Sequence, residues 1–131
     1  MSAKQGISSL FIVAAIYDGV LGGAFLFASG NLFDWFGVTP PNHQGYVQFS
    51  AALLIVFAAM FISIARDPIR NRSLIPYGIM LKLSYCGVVF FHWLTADIPN
   101  MWKPFCIADL VFLVLFAWAW TAIGREAADG K

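Results

Sequence analysis

The chain has 131 residues, of which 60% are hydrophobic and 11% charged, with a net charge of +1 and a mean hydropathy of +0.76. An ordinary soluble domain is roughly 45–50% apolar and about 25% charged, so this composition belongs in a lipid environment. It leaves no extramembrane stretch long enough for a catalytic domain, a nucleotide fold or a nucleic-acid surface, and a charge this close to zero gives no bulk attraction for an anionic partner.

Apolar runs of the roughly 20 residues needed to cross a bilayer fall at 8–29, 46–65, 73–94 and 104–124. Backbone in hydrocarbon must satisfy its own hydrogen bonds, which makes each run a helix. Short connections then predict one all-α domain over 1–131, an integral membrane up-down four-helix bundle with sequential neighbours in contact. Basic residues set the orientation. Lys4, Arg66, Arg70, Arg72, Arg125 and Lys131 lie on the side of the termini and the middle turn, and Lys103 alone lies on the other. The N and C termini are therefore expected to be cytoplasmic.

The first run follows a single basic residue, Lys4, and is longer than the roughly 7–15-residue apolar core of a cleaved signal, so it is expected to be a retained helix. Asp18 stands in the middle of it. Ala14, Ala15, Asp18 and Gly22 share one helical stripe with little side-chain volume, which turns the acid toward neighbouring helices rather than lipid. The "GVLGG" run that follows reads as helix packing. The outer segment "NLFDWFG" is apolar enough to lie along the interface as a short amphipathic turn or helix, with "TPPN" expected to stop it. Trp35, Tyr46, Trp93 and Trp102 read as interfacial anchors.

The second run contributes Gln48 near its outer end, and "RDPIRNRS" forms the basic turn after it. In the third run Pro76 falls in the first turn, where its missing N–H costs little. Gly78, Lys82, Tyr85, Cys86 and Val89 then share a stripe, with His92 roughly 80° off it. At about 1.5 Å rise per residue, Asp18 lies roughly 15 Å and Lys82 roughly 13–14 Å from the same membrane face. A carboxylate and an ammonium each cost about 2.5–3.5 kcal/mol at mid-membrane, so their pairing is expected. Asp109 of the fourth run lies roughly 8 Å nearer the outside than Lys82, within reach of the same lysine, so that Lys82 can bridge both acids.

Asp18, Lys82 and Asp109 are the core of a candidate ligand or proton site, with Tyr17 and Tyr85 beside them. His92, with Asp109, Gln48 and His43 of the loop, is a candidate for an outer polar vestibule. The bland reading of the charged set is an ionic latch that fixes helix register, and both readings stand at this level. No HExxH, Gly-x-Ser-x-Gly or phosphate-loop pattern is present. Cys86 and Cys106 lack metal or redox spacing and read as small core residues. No catalytic residue, metal or cofactor is expected. The 13 Phe and 5 Trp suit either the walls of a hydrophobic cavity or a lipid-facing surface.

The layout, the glycine-rich first helix running into "LFASGNLFDWFGV" and the lysine within the third span together resemble the small bacterial four-helix membrane proteins of the DoxX-like group. The resemblance implies this fold and a bacterial inner-membrane location; some members of the group are membrane subunits of quinone-linked redox systems, but no motif here carries a redox role over, and the resemblance supplies no site residues. The first functional expectation is thus a non-enzymatic membrane bundle binding a small amphipathic molecule, such as a quinone, or a proton. The second is an accessory subunit of a larger membrane complex. The bilayer, a hydrophobic small molecule, and a homo-oligomer or larger complex are the expected partners.

Overall fold

A computed structural model describes residues 2–129; Lys131, one of the basic residues used for orientation, lies outside them. The described residues form five α-helices: α1 (Ala3–Phe27), α2 (Ser29–Phe36), α3 (Gly45–Arg66), α4 (Ile75–Ala96) and α5 (Lys103–Asp129), with single 3₁₀ turns before α4 and α5. The four long ones are long and apolar enough to cross a membrane.

The first helix starts five residues before the apolar run because Ser2 and Gln5 cap it reciprocally. The Ser2 hydroxyl accepts from the Gln5 N–H at 3.2 Å and the Gln5 side chain accepts from the Ser2 N–H at 3.1 Å. It ends at Phe27, short of the expected 29, where Ala28 (φ −136°, ψ 28°) turns the chain into α2. The "NLFDWFG" segment is indeed helical, burying Ser29 and Phe33 and exposing Trp35 and Phe36. Its stop is Gly37 rather than the prolines. The left-handed φ of 64° at Gly37 lets its own N–H reach Asp34 O (3.2 Å) and the Val38 N–H reach Phe33 O (2.9 Å), closing the helix before "TPPN" begins.

Contacts between the long helices are antiparallel and follow small residues. Gly22 lies against the Ala51 carbonyl and Gly19 against Ala58, bringing α1 close to α3. α4 packs on α5, where Gly78 admits the ring of Phe116. α1 closes against α5 through the stacked rings of Phe11 and Phe116, 4.6 Å between centroids. The expectation that all sequential neighbours pack together needs one correction: α3 and α4 touch little. They meet where Phe61 fills the space beside Gly78, and each gives its main packing face to another partner, α3 to α1 and α4 to α5. α1 and α5, the first and last long helices, supply the central contact instead.

The densest core lies toward the basic turn, where Ile7, Phe11, Phe61, Ile64, Phe116 and Ile123 are fully buried. At the other end Phe25, Phe33, Ala51 and Met101 form a second cluster under α2. The outward faces of the long helices are also apolar, exposing Ile16, Val20, Val56, Val88, Phe91 and Val114 among others.

The turn between α3 and α4 is more than a carrier of charge. Arg72 lays its guanidinium 3.6 Å from the ring centroid of Trp120 and donates from Nε to the Trp120 carbonyl at 3.2 Å. Gly124 makes room for it, since a Cβ there would stand 2.7 Å from Nη2. At the opposite end Asp97, with φ 62°, accepts from the Ile98 N–H (2.8 Å) and pairs with Lys103 (3.2 Å), and these contacts hold its carboxyl below the usual range.

Candidate functional site

Lys82 is wholly buried at the centre of the bundle, and its ammonium donates to Asp18 Oδ1 at 2.9 Å, Asp18 Oδ2 at 3.0 Å and Asp109 Oδ1 at 3.0 Å. All three of its N–H donors are therefore matched by carboxylate oxygens. Three helices converge to do this. The Ala14, Ala15 and Gly22 stripe turns Asp18 of α1 inward, Gly78 lets α4 bring Lys82 close, and Asp109 faces them from α5. The rings of Tyr17, Phe61 and Phe112 surround the ammonium, with centroids 5.2–5.8 Å from Nζ. The sequence expectation of a lysine bridging both acids is met in the geometry.

Above this cluster, where α3 and α4 diverge, lies a cavity of about 810 Å³. Asp18 and Asp109 line its inner part; α3 contributes Val47, Ser50, Leu54 and Phe57, and α4 contributes Leu81, Tyr85, Val88 and His92. The rest of the wall is mostly apolar and aromatic, with Thr39, Ser50 and His92 among the polar exceptions. Its size falls within the roughly 300–1,000 Å³ typical of small-molecule sites.

The remaining sequence candidates separate around this cavity. Tyr85 lines it, but its hydroxyl donates to the Trp102 carbonyl at 3.1 Å. His92 lines it from an exposed position on the last turns of α4. Tyr17 is packed beside the ion cluster against Phe112, its hydroxyl buried without a hydrogen-bond partner. Gln48 is half-buried on α3 and is not part of the cavity lining. His43 is exposed and accepts from the Gly45 N–H at 2.9 Å, a local turn contact. The expected vestibule therefore reduces to His92 and Asp109. Cys86 and Cys106 are free and buried, the Cys86 thiol donating to the Cys106 carbonyl at 3.5 Å. Among the described residues no three His, Cys, Asp or Glu side chains gather into a metal-holding group.

Several cavity residues escaped the sequence reading. Trp102, read as an interfacial anchor, also stacks on Phe25 with centroids 5.7 Å apart, and both line the cavity with Phe33 and Phe105. The signal for this was weak: Phe33 and Trp102 sit on short elements whose folding back over the bundle is set by tertiary contacts with Phe25.

No family model, curated protein or solved structure was found to match this chain.

Proposed function

We propose that this protein is a non-enzymatic, multi-pass membrane protein that holds a small amphipathic molecule in the cleft between α3 and α4, with the polar end of the ligand at the Asp18, Lys82 and Asp109 cluster and its apolar body along the aromatic walls. A proton is the smallest occupant the same cluster can take. The observation that carries the reading is the combination of an apolar cavity with two carboxylates at its inner part. A pure register latch needs no such space beside its charges.

A membrane setting is supported by four helices of spanning length whose outward faces stay apolar, since a helix hydrophobic on all sides is matched to a lipid surround. The division of basic residues supports cytoplasmic termini, with the cavity mouth on the outer half. The layout shared with DoxX-like proteins belongs to the same proposal.

The test is binding of an anthracene-tagged long-chain alcohol to the protein in nanodiscs, read by fluorescence against empty nanodiscs. Leu53 lines the cavity from an exposed position on α3. Leu53→Trp is expected to weaken binding by about tenfold or more, equivalent to about 1.4 kcal/mol, while leaving the thermal midpoint in place. Binding indistinguishable from empty nanodiscs, or unchanged in Leu53→Trp, overturns the ligand reading.

A further inference from the structure

We infer that the preferred ligand is a lipophilic ammonium, a molecule with an apolar body and a cationic head carrying N–H donors. The inference rests on the cavity being a ligand site and names the chemistry it selects. Its basis is an imbalance in the buried cluster. Two carboxylates face one ammonium, and among the described residues no second cation joins them: Lys82 is the only Lys or Arg in contact with Asp18 or Asp109. With all three groups ionised the cluster carries one uncompensated negative charge in a surround of Phe and Tyr rings, where an unpaired charge is costly.

The imbalance is localised. Asp18 gives both carboxylate oxygens to Lys82, at 2.9 and 3.0 Å, whereas Asp109 gives only Oδ1. Asp109 Oδ2 accepts no hydrogen bond from the described residues, and Asp109 belongs to the cavity lining while being only 8% exposed. The free acceptor thus belongs to an acid at the inner part of the apolar cavity. An ammonium there makes a charge-assisted hydrogen bond and completes a cluster of two cations and two anions. The walls suit the same head group: the rings of Phe25, Phe33, Phe57, Trp102 and Phe105 line the path, and aromatic faces attract cations. A carboxylate or sulfate head is disfavoured, since it would add negative charge beside Asp109. An alcohol can donate to Oδ2 but leaves the charge uncompensated.

The experiment compares four probes with the same twelve-carbon chain (dodecylammonium, dodecyltrimethylammonium, dodecanol and dodecanoate) for displacement of the anthracene-tagged alcohol from the protein in nanodiscs. Dodecylammonium is expected to bind at least about tenfold more tightly than dodecanol, the ratio that one charge-assisted hydrogen bond supplies. The trimethyl compound, which has charge but no N–H, should fall between them, and dodecanoate should be weakest. In Asp109→Asn, whose amide removes both the surplus charge and the anionic acceptor, the preference for ammonium over alcohol should disappear. The series on the unaltered protein carries the test even if that variant does not fold. Equal or tighter binding of dodecanol or dodecanoate overturns the ammonium assignment while leaving the cavity a ligand site. Displacement by none of the four, with the tagged alcohol itself unbound, overturns the site as well.

Discussion

Removing Lys82 should damage the bundle far more than removing either acid, because the cluster holds one more acid than base. At an effective dielectric constant of about 20, two unit charges 3.0 Å apart attract by roughly 5 kcal/mol before desolvation is counted, and Lys82 makes such a contact with each of two carboxylates. Lys82→Met leaves Asp18 and Asp109 facing each other without a cation, at 1% and 8% exposure. Stranding buried charge in this way costs about 3–5 kcal/mol. Asp18→Asn, by contrast, leaves a balanced Lys82–Asp109 pair, and the new amide oxygen still accepts one hydrogen bond. Its cost is about 1–2 kcal/mol, the worth of the charge-assisted bonding lost. Asp109→Asn should cost less again, because Lys82 keeps both of its bonds to Asp18. The triple variant Asp18→Asn, Lys82→Met, Asp109→Asn should recover most of the loss seen in Lys82→Met. Thermal unfolding in nanodiscs, followed by circular dichroism, ranks the four. A Lys82→Met midpoint at or above that of Asp18→Asn, or a triple variant no better than Lys82→Met, would refute the view of an acid-rich cluster held by a single cation.

Three further outcomes are expected. Gly22→Ala should cost about 1–3 kcal/mol, because its Cβ would stand 2.7 Å from the Ala51 carbonyl oxygen and α1 must move away from α3, whereas Gly23, with nothing within 4 Å, should accept Ala without loss; equal thermal midpoints for the two variants contradict this packing. Arg72→Ala should cost about 1–2 kcal/mol through the lost ring stacking and hydrogen bond at Trp120, and Arg72→Lys should recover only part of it, as an ammonium lacks the planar fork; full recovery by lysine would show that charge alone matters there. Cysteines placed at Lys4 and Ser73 should react with an impermeant thiol reagent only from the cytoplasm, and those at Asn42 and Asn100 only from outside; an outward-facing position 73 reverses the proposed orientation.

Much of the scaffold was legible in the residues because it depends on local quantities. Run length and composition give the four long apolar helices, and the fixed rise of a helix places Asp18 and Lys82 at the same depth from residue counting alone. The small-residue stripe around Asp18 tells which way the acid faces, and the reach of a lysine side chain brings Asp109 into the same cluster. Helix ends were less legible. α1 begins early because Ser2 and Gln5 cap each other, and α2 closes at Gly37 because a left-handed residue is available before the prolines.

Only the tertiary structure decided the cavity, since a helical sequence fixes depth along its axis but not the separation from the next helix. The close α1–α3 and α4–α5 contacts engage α3 and α4 with different partners and leave the two with little contact of their own. Phe33 and Trp102, on short elements whose place over the bundle no local pattern specifies, then pack over the space against Phe25. The same holds for Arg72. Counted as one of several basic residues it marks a side of the membrane, but its place over Trp120 depends on the absent side chain of Gly124, fifty-two positions along the chain, and only the folded bundle brings those two residues together.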